Sequence, residues 1–137
     1  MGLILDTSVL ISGERGGASV EEILASLSSQ YGQDRIEISV VSIHELTHGM
    51  YRAKSPTIAA RRRSFVDDVK DGFKIYDLTT EIAALSGRIE GEQAAQGIAI
   101  AFPDLIIGST ALHLGYSVLT SNTKHFSLIP NLQVLSF

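Results

Sequence analysis

The chain has 137 residues, 45% hydrophobic and 19% charged, which is the size of one globular domain with a single core, expected to run 1–137. It holds no cysteine, which excludes thiolate catalysis, a disulfide framework and any Cys-ligated zinc or iron–sulfur centre. A formal charge of -4 argues against sequence-independent coating of duplex nucleic acid, where a broadly basic surface supplies the affinity, but bound divalent cations would offset it, so a nucleic-acid enzyme stays open.

In chain order, Leu3-Ile4-Leu5 is a short apolar run closed by Asp6, the pattern of a buried parallel strand. Ser19 with Glu22 forms a capping box ahead of Ile23, Leu24 and Leu27, so a helix is expected there, ending at Gly32. Ile36 to Val41 is β-branched and reads as the second strand. Ser42 and Glu45 repeat the capping-box pattern, which puts Glu45 in the first turn of the next helix. Ser55-Pro56 opens another helix, expected to reach about Val69 before Gly72, and Phe73 to Leu78 is a weaker strand. From Thr80, residues Ile82, Leu85 and Ile89 share one helical face up to a stop at Gly97. Phe102-Pro103-Asp104 begins a helix that Gly115 ends. Tyr116 to Thr120 is a strand, Ser121 to Ser127 a loop or short turn, and Gln133 to Leu135 a last strand. Strands alternating with helices predict a three-layer α/β/α fold with a mostly parallel central sheet and right-handed crossovers. The apolar run from Ile98 to Gly108 is too short for a bilayer and is broken by Pro103 and Asp104, and no basic leader opens the sequence. A cytoplasmic chain without membrane contact is expected.

Ligands of such open sheets sit beyond the C-terminal strand ends. Asp6, Glu45 and Asn122 each follow a strand, and Asp104 opens a helix that feeds one, so four oxygen-bearing side chains are expected on one edge. Clustered carboxylates raise one another's pKa and call for a cation. Hard oxygen donors suit Mg2+ or Mn2+, which keep waters and bind substrate phosphates, an arrangement for phosphodiester hydrolysis.

These segments, Leu5-Asp6-Thr7-Ser8, Ser42-Ile43-His44-Glu45-Leu46 with Gly49, Phe102-Pro103-Asp104-Leu105 and Thr120-Ser121-Asn122 with Phe126, resemble in kind and order those of the PIN-domain nucleases. The length is similar to that of the VapC-type toxins of toxin–antitoxin pairs. The resemblance implies a PIN-like fold and a Mg2+- or Mn2+-dependent endoribonuclease acting on RNA. It implies Asp6, Glu45 and Asp104 as the metal-holding acidic triad and Thr7 as its hydroxyl support. It also implies a homodimer and a cognate antitoxin protein as partner. Asn122 stands where the family often has an acid; an amide supplies a neutral oxygen and cannot be a carboxylate base, so it would orient water or substrate.

Plainer readings compete. Asp6 could cap a helix beginning at Thr7, Glu45 could only complete Ser42's capping box, Asp104 could be an ordinary first-turn acid, and Asn122 could serve a turn. Arg61, Arg62 and Arg63, with Arg52 and Lys54 nearby, could track an RNA backbone or form a solvated helix face. His44-Glu45-Leu46-Thr47-His48 matches the zinc-peptidase H-E-x-x-H pattern, but Tyr51 and Lys54 stand where its longer form has Gly and His. A phosphotransferase with an Asp nucleophile would want a second Asp where Ser8 stands. A non-catalytic domain of the same fold, binding RNA or protein, is the remaining alternative. For His113 and His125, surface or hydrogen-bonding roles suffice.

Overall fold

The computed structural model describes residues 1–32 and 35–137. Its elements are β1 (Gly2–Leu5), α1 (Thr7–Arg15), α2 (Val20–Tyr31), β2 (Arg35–Ser39), α3 (Val40–Tyr51), α4 (Pro56–Gly72), β3 (Ile75–Tyr76), α5 (Thr80–Ala94), α6 (Phe102–Leu114), β4 (Ser117–Thr120), α7 (Thr123–Phe126) and β5 (Val134–Ser136). The sheet runs β3-β2-β1-β4-β5, every described pairing parallel. The order reverses beside β1, so the switch point lies between β1 and β4 at their C-terminal ends.

Period-two alternation of a strand buried on both faces divides the core. Leu5, Ile38 and Leu119 pack with Val9, Val20, Ile23, Phe65 and Val69 under α1, α2 and α4. Ile4 and Val118 pack with Ile89, Leu105, Ile107 and Phe126 under α5 and α6. Helix α3 lies against α4 and also touches α1 and α6. No described helix is long and apolar enough to cross a membrane.

The helix signals act where the sequence puts them. Ser19 and Glu22 make the reciprocal capping box, Ser55 accepts the Ile58 N–H, and Gly32 and Gly115 end α2 and α6 with left-handed backbone at φ 63° and 72°. Gly108 serves packing instead. A Cβ there would run into Ile129 Cδ1, so its absence lets the chain after α7 lie close on α6, with Phe126 and Ile129 buried on either side of residues 127–128.

Three boundaries differ from the sequence reading. The second strand ends at Ser39, not Val41, because the Ser39 hydroxyl accepts the Val41 N–H at 3.2 Å and the helix begins at Val40; β-branched Val40 and Val41 leave the sheet, since strand preference reflects fit to a pleated surface. Ser42 is therefore no cap, and Glu45 lies in the second turn of α3, not the first. The third strand shrinks to Ile75–Tyr76, which pairs only with the end of β2. Within Ser121 to Ser127 the chain forms the short helix α7, anchored by Phe126, whose burial contributes roughly 1.5–3 kcal/mol.

Candidate active site

At the end of β1 the chain turns directly into α1, with Asp6 as the flanking residue and only 5% exposed. The simple capping reading fails in its detail: the Asp6 side chain makes no cap bond to the α1 backbone. Its Oδ2 instead accepts the Ser8 hydroxyl at 2.7 Å and the Thr120 hydroxyl at 2.8 Å. Thr120, at the end of β4, is fixed in turn because its Oγ1 accepts the Asn122 backbone N–H at 2.8 Å. The switch point thus places β1 and β4 so that one strand end holds the other's carboxylate.

Glu45 reaches the cluster from α3. Its Oε1 accepts the Thr7 hydroxyl at 2.6 Å, and Thr7 Oγ1 lies 2.8 Å from Ser42 Oγ. An ionised carboxylate only accepts, so the single Thr7 proton points to Glu45 and Ser42 donates to Thr7. Both hydroxyl residues are buried, at 3% and 0% exposure. The sequence reading made Ser42 a cap; the structure makes it the buried end of a Ser42–Thr7–Glu45 chain that fixes Glu45's rotamer.

Asp104 stands in the first turn of α6, where the positive helix end favours a negative side chain. Burial pushes its carboxyl above the ordinary aspartate range, the charges of Asp6 and Glu45 push it further, and His125 pulls the other way. Asp6 and Glu45 are therefore each within electrostatic reach of Asp104. His125 Nδ1 lies 3.5 Å from Asp104 Oδ2, a contact the sequence reading missed; the clue was its position three residues after Asn122, on the turn that becomes α7. Asn122 itself is exposed, and its contribution to the hydrogen-bond network is its backbone N–H rather than its amide.

A common pattern unites the three acids. Each has one oxygen engaged by a protein group, while Asp6 Oδ1, Glu45 Oε2 and Asp104 Oδ1 have no hydrogen-bond partner among the described residues. No three His, Asp or Glu side chains among the described residues are gathered in chelating geometry. A catalytic zinc needs three direct protein ligands. Mg2+ or Mn2+ takes one or two carboxylates and fills the remaining positions with water and substrate oxygens. The all-oxygen donor set fits the same ions. His44 and His48 are exposed while the intervening Glu45 is tied to Thr7, so the H-E-x-x-H segment does not converge on a metal. Of the three consecutive arginines, Arg61 pairs with Glu14 at 3.2 Å and Arg62 donates to the Gly49 carbonyl at 2.8 Å; these two hold α4 against α1 and α3.

Comparison with known proteins places this geometry in context. The family model described as PIN domain matches residues 3–132. The chain is 36% identical to Ribonuclease VapC1 of Rickettsia felis over 99% of this chain and 96% of that one. It is 35% identical to Ribonuclease VapC of Rickettsia bellii, with the same shares covered. In fold it is similar to the crystal structure of VapBC2 from Rickettsia felis bound to a promoter DNA fragment, with a TM-score of 0.84, 23% identity, and 100% and 99% of the two chains covered.

Proposed function

The chain belongs to the PIN-domain family, and from that premise we propose that it is a divalent-metal-dependent endoribonuclease of the VapC type, hydrolysing RNA phosphodiester bonds at Asp6, Glu45 and Asp104. The observation that carries this reading is the set of three carboxylates: Asp6 and Glu45 each held through one oxygen by hydroxyl donors, and Asp104 facing His125 at 3.5 Å, with the other oxygen of each without a hydrogen-bond partner among the described residues. Asp6, Glu45 and Asp104 would hold Mg2+ or Mn2+, which supplies neutralising charge and activation of water for in-line attack on phosphorus.

The chain's own groups prepare that chemistry. Ser8 and Thr120 orient Asp6, each donating its hydroxyl hydrogen to Oδ2. Thr7, itself oriented by Ser42, does the same for Glu45. His125 faces Asp104 and partly offsets the two neighbouring negative charges. Asn122, exposed at the end of β4, orients water or substrate through its amide. Water rather than the ribose 2′-hydroxyl is the attacking group, so the products carry 5′-phosphate and 3′-hydroxyl ends. Sequencing both ends of the fragments tests this, and 2′,3′-cyclic phosphate would contradict it.

The reading extends to partners. Similarity to two VapC ribonucleases over nearly the whole chain, and in fold to the VapBC2 structure from Rickettsia felis, supports a cognate antitoxin protein as the inhibitor of this enzyme in the cytoplasm. Light scattering of the purified protein, alone and co-expressed with a candidate antitoxin, tests both associations.

A further inference from the structure

Helix α3 presents two sides with different chemistry. The inner side is set by Ser42, Leu46 and Met50, which are buried, and Glu45 is tied inward through Oε1, which accepts the Thr7 hydroxyl at 2.6 Å. The outer side carries His44 and His48, both exposed. A step of four residues leaves the second ring one turn along the helix and only about 40° around it from the first, so the two Cβ atoms stand about 5–6 Å apart. At that separation one ion can take a nitrogen from each ring at the roughly 2.0–2.1 Å of a metal–imidazole bond. Both residues lie within the helix, which spans Val40–Tyr51, so the pair is held in register by a regular backbone rather than by a loop.

The fold gives these rings no ionic partner. Among the described residues the histidine ion pair is His125 with Asp104, and neither His44 nor His48 forms one. With Glu45 turned inward the three residues do not make a peptidase centre, and no third His, Asp or Glu joins the two histidines in chelating geometry among the described residues. Two protein nitrogens with the other positions open to water make a site of a different kind. Imidazole suits Ni2+, Cu2+ and Zn2+, whereas Mg2+ takes oxygen ligands. The acidic cluster offers carboxylate oxygens and the outer side of α3 offers nitrogens, so the two places sort cations by donor type.

We propose that His44 and His48 form a two-ligand surface site for a transition-metal dication of the Ni2+, Cu2+ and Zn2+ group, separate from the Mg2+ or Mn2+ of the carboxylates. Helix α3 then serves two kinds of cation, the hard one through Glu45 and the softer one through the histidine pair. Only the folded helix sets the two rings one turn apart, so the bound ion stabilises the folded state. The inference is independent of the ribonuclease reading, because it uses no residue of the acidic cluster.

The test is calorimetric titration of Ni2+ into the whole protein, purified without a histidine tag and held in saturating Mg2+ so that the carboxylates are occupied. The parent should bind one Ni2+ per chain and melt at a higher temperature in its presence. His44→Gln and His48→Gln, each checked for unchanged folding by circular dichroism, should weaken that binding by at least about tenfold, since losing a direct ligand costs no less than losing a group that supports one. Both should also abolish the rise in melting temperature. His113→Gln, which removes an exposed histidine of α6, should change neither. Absence of saturable Ni2+ binding by the parent overturns the proposal. So does binding that survives undiminished in both α3 variants, and so does binding lost in His125→Gln instead, which would place the ion beside Asp104.

Discussion

Thr120 donates its hydroxyl hydrogen to Asp6 Oδ2 at 2.8 Å across 114 residues of sequence, joining the C-terminal ends of β4 and β1 at the sheet's switch point. The hydroxyl is fully buried and takes the Asn122 N–H in return. Thr120→Val keeps the shape and removes the donor, so it should lower kcat for RNA cleavage by at least about tenfold and cost roughly 1.5–3 kcal/mol of stability, the scale of a hydrogen bond to a charged group. Chemical denaturation and steady-state cleavage measure the two; an unchanged kcat would remove Thr120 from the account.

Thr7 offers a sharper contrast because its hydroxyl, not its methyl, reaches Glu45. Thr7→Ser should keep most of the activity, while Thr7→Val should lose it by about tenfold or more and leave Ser42 without its buried acceptor. Equal activity in the two variants would contradict the proposed orientation of Glu45.

Asp104 carries a cost in the metal-free protein. Burial first, and the charges of Asp6 and Glu45 next, raise its carboxyl pKa in the folded state above that of the unfolded chain. The folded state then holds the proton more tightly, so stability falls as pH rises from the ordinary aspartate range through the raised folded value, and stays lower above it. Asp104→Asn should therefore melt a few degrees higher than the parent in EDTA at neutral pH, with the gap closing in acid. Saturating Mg2+ should stabilise the parent more than the variant, as binding to the folded state alone requires. A lower melting temperature for Asp104→Asn in EDTA would refute this.

His48 tests the competing zinc pattern. It is exposed on α3 and bonded to none of the acids, so His48→Gln should cleave RNA within about twofold of the parent. A collapse of activity would revive a role for the H-E-x-x-H segment.

Gly108 sets the seat of α7. Gly108→Ala drives a methyl group into Ile129, which should cost about 1–3 kcal/mol as overpacking does and disturb the His125–Asp104 contact. A thermal melt at parent temperature would show that Ile129 yields freely.

The helix ends were legible because their signals are local: Ser19 with Glu22, Ser55 with Pro56, and the glycines at 32 and 115 act through neighbours in sequence. Asp6 and Asp104 stood out for a similar reason, one closing a strand and the other opening a helix whose limits could be read. The register of α3 was not legible. Ser39 and Ser42 can each open a helix, and what selects Ser39 is the buried bond between Ser42 and Thr7, 35 residues away. Thr120 as Asp6's partner and His125 as Asp104's were hidden likewise, because strand order and the seating of α7 on Gly108 create those contacts. Asp6's hydrogen bonds to Ser8 and Thr120, in place of any to the α1 backbone, also set it apart from an acid that caps a helix, a distinction composition cannot make.

The most direct measurement is cleavage of end-labelled single-stranded RNA by the purified protein and by Asp104→Asn, each in EDTA, Mg2+, Mn2+ and Zn2+. The account predicts that the parent is silent in EDTA and active with Mg2+ or Mn2+, and that Asp104→Asn is inactive in every metal while remaining folded. Undiminished cleavage by Asp104→Asn, or cleavage by the parent in EDTA, would contradict it.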